Sequence, residues 1–350
     1  MPRDGTSTRI VDAVTVLLAS HDKCLEHLEG TNHPERPDRL RAVLRGAGDA
    51  SVVDALVPVE VTPASNADLE LVHPRWYLDE LDQRAASGGG WIDADTFMSP
   101  ASADAARLAA GAGLAAIEAL CAGRGDAAFC AIRPPGHHAV PAAAMGFCLI
   151  SNVAVAAASL VAKGERVMIF DYDAHHGNGT QAVFYDDPRV LFVSAHQWPL
   201  YPGTGAADET GEGAGEGYTL NLPMPPGTTG DVYVRAFDEV ILPVAERFDP
   251  TWLIISAGFD AHRADPLTDL GLSSGDFAML TARAAQLVPS GRCLAVLEGG
   301  YDLEALRSSS AAVLAALAGI DHRQEAPTCG GPGADVVERA RAQRVYGDLG

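Results

Sequence analysis

Chemistry in this sequence concentrates in four short clusters: 133 RPPGHHA, 171 DYDAHHGNGT, 256 SAGFDAH and 298 EGGY. In the second, Asp171, Asp173, His175 and His176 directly follow the apolar run 167 VMIF. Alternate residues of an extended segment share a face, so Asp171, Asp173 and His175 point the same way. A lone Asp-x-Asp at a strand end simply starts a turn. Adding histidine at the same parity supplies both carboxylate oxygen and imidazole nitrogen, the ordinary ligands of zinc. A catalytic zinc needs three protein ligands and an open position, and Asp173 and His175 supply two. The third is expected from another strand end. Asp260, after the run WLIISAGF, is the candidate; His262 competes with it, but a carboxylate would bring the site close to neutrality.

His137 and His138 follow the glycine-containing turn RPPG. Adjacent histidines have no metal-ligand spacing of their own and also occur on surfaces. Beside a metal-activated water, however, they offer a base for its proton and an acid for the leaving group. Imidazole titrates near neutral pH, so either ring is suited to either role. Tyr301 follows Glu298, Gly299 and Gly300, where paired glycines form a turn or let the backbone approach a site closely. Its phenol is a neutral donor able to hold a developing oxyanion. Metal, base, acid and oxyanion donor together equip a hydrolase.

These groups need a scaffold that gathers them. Short runs rich in Val, Ile and Phe (13 AVTVLLAS, 127 AAFCAI, 166 RVMIFDYD, 190 VLFVSAH, 217 GYTLNLP, 252 WLIISAGFD and 293 CLAVLEGGY) alternate with Ala- and Leu-rich stretches of helical period at 102–120, 151–162, 231–248, 274–287 and 303–317. Such alternation predicts βα units around a mostly parallel sheet flanked by helices, an α/β fold. All four clusters end predicted strands, and ligands of open parallel sheets bind beyond those ends. No Ser/Pro-rich linker divides the chain before 326 APTCGGPGAD. One domain over 1–350 is therefore expected, with a core over roughly 10–320 and a linker and one helix, 336–346, in the remainder.

Composition removes several function classes. A formal charge of −21 argues against nucleic acid, since phosphate neutralisation needs surplus basic side chains. Six cysteines without CxxC spacing read as reduced thiols, not a zinc-cysteine site. The apolar run near the N-terminus is too short to span a bilayer, so no membrane is expected and the location is read as cytoplasmic. Residues 111 GAGLAA fit a GxGxxA pattern but lie within a helical stretch, where close packing explains them better than a dinucleotide. The run 208 DETGEGAGEG is an acidic loop; carboxylates would repel a phosphate.

Taken in order along the chain, the clusters resemble the histone deacetylase and acetylpolyamine amidohydrolase superfamily, which has the arginase-type α/β fold. The likeness extends from 33 HPERPDRL through 136 GHHA, 146 GFC, 171 DYDAHHGNGT and 202 PGTG to 256 SAGFDAHRADPL and 298 EGGY, and HPERP and HHGNGT are similar to the class II and bacterial branches. The resemblance implies one Zn²⁺, or Fe²⁺ in its place, on Asp173, His175 and Asp260. It implies tandem catalytic histidines His137 and His138, the first oriented by Asp171, and a catalytic Tyr301. Asn178 stands where class I members place an Asp facing the second histidine, which favours His138 as the base and His137 as electrostatic partner or acid. Gly146, Phe147, Tyr201, Leu267, Gly299 and Gly300 would line a tunnel for an acyl-lysine-like chain, with Arg36 near its inner end. A structural K⁺ would sit by Asp171, Asp173, His175 and Ser194, and a second near Phe184, Asp187 and Val190.

The implied reaction is removal of acetyl or other short acyl groups from the ε-amine of acyl-lysine in proteins or peptides. The alternative is the same chemistry on acetylated polyamines. In the polyamine-selective branch a glutamate guards the pocket seven residues after the zinc aspartate; here that position is Leu267. A ureohydrolase would need ligands for two metals, which DYDAHHG and FDAH do not supply. An inactive acyl-lysine reader would not need Tyr301. A homo-oligomer is compatible with the sequence.

Overall fold

The computed structural model describes residues 14–28, 30–49, 51–322 and 324–346. Ala13, where the first predicted strand begins, and both ends of the expected 1–350 domain lie outside the described residues. The strands are β1 (Val16–Ala19), β2 (Leu56–Val59), β3 (Gly90–Trp91), β4 (Phe97–Met98), β5 (Ala127–Cys130), β6 (Val167–Asp171), β7 (Val190–Gln197), β8 (Thr219–Met224), β9 (Trp252–Ala257) and β10 (Cys293–Leu297). Eight form one sheet in the order β2-β1-β5-β10-β9-β6-β7-β8, parallel throughout; β3 and β4 make a separate antiparallel hairpin. The helices are α1 (Pro37–Ala47), α2 (Asn66–Leu69), α3 (Arg75–Ala86), α4 (Ser102–Cys121), α5 (Asn152–Val161), α6 (Asn178–Phe184), α7 (Gly230–Ala236), α8 (Leu242–Phe248), α9 (Ser274–Ala285), α10 (Leu303–Leu317) and α11 (Ala334–Tyr346). The chain is thus a single domain with a parallel sheet flanked by helices.

Strand order carries the functional consequence. The four clusters leave β5, β10, β9 and β6, four adjacent strands, so all of them open at one edge of the sheet. Apart from the edge strand β2, the strands of the sheet are buried along almost their whole length, with Phe129, Phe170, Phe192 and Trp252 among the largest enclosed side chains. Each such side chain contributes roughly 1.5–3 kcal/mol by burial, which makes the strand ends a rigid base for the polar residues that follow.

Some elements differ from the sequence reading. The helix expected over 231–248 is interrupted by a π-helical turn, Phe237–Ile241, between α7 and α8. Pro243 lacks the N–H that would continue the ladder, and the backbone widens before it. Strand β2 was missed because Pro58 lies inside it; as an edge strand it tolerates a residue that cannot donate. Helix α1, not among the expected helices, opens with Pro37 at its first position, where proline's fixed φ favours a helix start. Gly111 confirms the packing account of GAGLAA: a Cβ there would lie 2.0 Å from the Thr62 carbonyl oxygen.

Candidate active site

Asp173 and His175 follow β6 and Asp260 follows β9, its direct neighbour. His175 Nδ1 lies 3.2 Å from Asp173 Oδ1 and 3.0 Å from Asp260 Oδ2, and ligand atoms from the three residues all fall within 4.8 Å of one another. Backbone donors fix the carboxylates: the N–H groups of His175 and Gly299 donate to the two Asp173 oxygens (2.8 Å each), and Ala174 N donates to Asp260 Oδ1 (2.7 Å). A Cβ on Gly299 would come within 2.2 Å of Asp260 Oδ2, so only glycine fits that approach. His262, the competing candidate, is turned away, with Nε2 2.7 Å from Glu325 Oε2.

Two buried carboxylates side by side require positive charge. Burial by itself would lower the pKa of His175, but hydrogen bonds to Asp173 and Asp260 outweigh it and raise the pKa to about 10. A proton on this imidazole stands where a cation would. Two carboxylate oxygens and one imidazole nitrogen at this spacing fit a divalent metal and match the donor set of a catalytic zinc site with an open position.

The tandem histidines follow β5. His137 Nδ1 lies 3.0 Å from Asp171 Oδ2, and His138 Nδ1 lies 2.7 Å from Asn178 Oδ1. Both partners accept, so each Nδ1 carries the proton and each Nε2 faces the site. The ring centroids are 4.0 Å apart, and that of His138 is 5.9 Å from that of His175. Burial opposes charge on both rings. For His137 it is overcome by Asp173 and Asp171, which hold the pKa well above the ordinary value; for His138 it is reinforced by the neighbouring His137, and the pKa falls well below. The two adjacent imidazoles are thus driven apart in pKa.

Tyr301 is reached through Gly300, whose φ of +112° suits glycine alone. Its N–H donates to Asp265 Oδ2 (2.7 Å), and the other oxygen of Asp265 accepts from Leu267 N (2.9 Å), so one carboxylate ties the backbones of Tyr301 and Leu267 together. Burial holds the phenol well above its ordinary pKa, against the pull of Arg39, which keeps it a neutral donor. Phe147 meets the Tyr301 ring edge-on at 5.8 Å, and Tyr201 meets His138 edge-on at 5.1 Å. Gly146 lies against His138, where a Cβ would be 2.4 Å from the ring. Tyr201 and Leu267 are 37% and 40% exposed. Ser194 pairs in register with Asp171 across β6 and β7, and its Oγ lies 2.9 Å from His196 Nδ1.

Arg36 is the exception. It caps α1 from outside, 44% exposed and paired at 3.7 Å with Asp38. The residue that reaches inward is Arg39, in the first turn of α1. Its guanidinium lies 4.8 Å over the Tyr301 ring and donates to the carbonyls of Gly300 and Glu298. Arg39 also pairs with Glu35, which binds Arg133 of the RPPG turn in a network with every member buried. Recognising the helix start at Pro37 would have placed Arg39 three positions further round the helix. The β3–β4 hairpin was also missed; its Trp91, 58% exposed, stands beside His33, whose ring meets Phe147 at 4.7 Å.

This arrangement at the ends of parallel strands defines a hydrolytic enzyme of the deacetylase class. The chain belongs to the histone deacetylase family: the histone deacetylase domain matches residues 33–317. It is 43% identical over 311 residues to a probable deacetylase of Archaeoglobus fulgidus, covering 87% of this chain and 86% of that one. It is 40% identical over 294 residues to a histone deacetylase-like amidohydrolase of Pseudomonas aeruginosa, covering 82% and 76%. The crystal structure of the HDA15 HD domain superposes with a TM-score of 0.87 at 37% identity, covering 95% of this chain and 94% of that one. Among the described residues no helix is long and apolar enough to cross a membrane.

Proposed function

We propose that this chain removes acetyl or other short acyl groups from the ε-amine of acyl-lysine in peptides or proteins. Asp173, His175 and Asp260 would hold one Zn²⁺ or Fe²⁺, which supplies Lewis-acid polarisation of the amide carbonyl and acidifies the attacking water. His138, neutral and with Nε2 free, takes a proton from that water as it adds to the carbonyl carbon. The Tyr301 hydroxyl donates to the oxygen that gains negative charge. His137, kept cationic by Asp171 and Asp173, balances that charge. The proton then passes from imidazolium to the departing amine nitrogen as the C–N bond breaks, and the second water proton follows, leaving a carboxylate and a lysine ammonium group.

The observation that carries the choice of substrate is Leu267, an exposed apolar side chain whose backbone N–H shares the Asp265 carboxylate with that of Tyr301. An apolar rim offers a polyammonium tail no partner and suits a peptide chain. The test compares kcat/KM on an acetyl-lysine peptide with that on N-acetylputrescine. A preference for the peptide is expected, and a strong preference for the polyamine would reverse the assignment. Tyr201, Phe147 and Gly146 would flank the acyl-lysine stem, with Gly299 and Gly300 at its far end. K⁺ beside Asp171, Asp173, His175 and Ser194 would help to balance the clustered carboxylates. A second cation near Phe184, Asp187 and Val190 would bind at the turn after α6.

A further inference from the structure

Glu298 is fully buried, and its two carboxylate oxygens have different surroundings. Oε2 accepts from the backbone N–H groups of Gly136 (2.7 Å) and His137 (3.1 Å). Oε1 has no hydrogen-bond partner among the described residues. An unsatisfied buried carboxylate oxygen is costly, so those two bonds must hold the side chain in place. The main chain of Glu298 is anchored as well: its N–H donates to Ala257 O at the end of β9 (3.2 Å), its carbonyl accepts from Arg39 Nη2 (2.6 Å), and the following N–H, of Gly299, donates to Asp173 Oδ2 (2.8 Å). On its other side the histidine turn is pressed against the start of α5, where a Cβ on Gly136 would lie 2.5 Å from Asn152 N. The turn is therefore clamped between α5 and one carboxylate.

We propose that Glu298 is a positioning residue that fixes the Gly136–His137 backbone to the Gly299–Gly300–Tyr301 turn, setting the spacing between the paired histidines and the tyrosine. This rests on the reading of His137, His138 and Tyr301 as the reacting groups. Reach, not charge, is the operative property, because an amide oxygen accepts the same two bonds. Oε1, with no hydrogen-bond partner among the described residues, adds nothing to that hold.

Two variants of the zinc-loaded chain separate reach from charge. Glu298→Asp keeps the charge and withdraws the acceptor by one methylene; Glu298→Gln keeps the reach and removes the charge. Positioning predicts that Glu298→Asp lowers kcat on the order of 10²-fold at unchanged KM, as misplacement by about 1 Å can, while Glu298→Gln stays within about threefold of the parent. Full activity in Glu298→Asp, or equal losses in the two variants, overturns the proposal. Hydrogen exchange at the Gly136 and His137 amides supplies a readout independent of turnover: protection should be lost in Glu298→Asp and kept in Glu298→Gln, and equal protection in both overturns it. A parent chain without deacetylase activity on acetyl-lysine peptide would overturn the proposed substrate, and the exchange comparison would still decide the positioning role.

Discussion

His138 presents its Nδ1 proton to an amide, Asn178, at 2.7 Å, while its neighbour His137 presents the equivalent proton to a carboxylate. Burial and the neighbouring His137 hold the His138 pKa well below its ordinary value, while Asp173 and Asp171 overcome burial and raise that of His137, at 4.0 Å centroid separation. Asn178→Asp would place a negative charge against His138 and stabilise its protonated form, raising its pKa by about one unit or more. A base works only when unprotonated, so the acidic limb of kcat/KM should move to higher pH. An unchanged limb would remove His138 from the role of base.

Tyr301→Phe removes one oxyanion donor and leaves the metal ligands intact. Turnover should fall on the order of 10²- to 10³-fold with metal content unchanged. Steady-state kinetics beside metal analysis checks this, and full activity in the variant would mean that another group holds the oxyanion.

The two arginines of HPERPDR should behave oppositely. Arg36→Ala alters an exposed side chain and should stay within about 0.5 kcal/mol of the parent in urea unfolding. Arg39→Ala strips a partner from buried Glu35 and two backbone carbonyls, and should cost on the order of 3–5 kcal/mol. Equal effects would contradict the inward placement of Arg39.

Burial raises the pKa of Glu298 to about 7, against a lowering pull from His137 and the Gly136 N–H. The folded chain then binds a proton that the unfolded chain releases near the ordinary glutamate value, so this contribution to stability is complete below about pH 4.5 and is lost as pH rises through 7. Glu298→Gln should match the parent near pH 4.5 and gain relative to it by pH 8, on the order of 2–3 kcal/mol. Denaturant midpoints at the two pH values decide it, and a gain at neither would contradict the shift.

The four clusters were legible because each apolar β run stops abruptly at residues that bind metals or move protons. Asp173 and His175 could be named on that ground, while Asp260 stood beside His262 as the third ligand until the family resemblance favoured it. The adjacency of β5, β10, β9 and β6 could not be read, since it comes from pairing between segments far apart in the chain. Arg39 was hidden because no helix was expected over 37–47, and Arg36 was named from the family resemblance alone. Glu298 was visible only as the first letter of a glycine turn, because its role depends on where two backbone N–H groups from another strand end arrive. The π-helical turn before Pro243 escaped a reading based on period alone.

The most direct test is an anomalous-difference map collected at the zinc edge from crystals of the metal-loaded chain. One ion bound by Asp173, His175 Nδ1 and Asp260, with its open side toward His137, His138 and Tyr301, is the predicted result. Two ions in the site, or one bound without Asp260, would contradict the assignment of metal, base and oxyanion donor together.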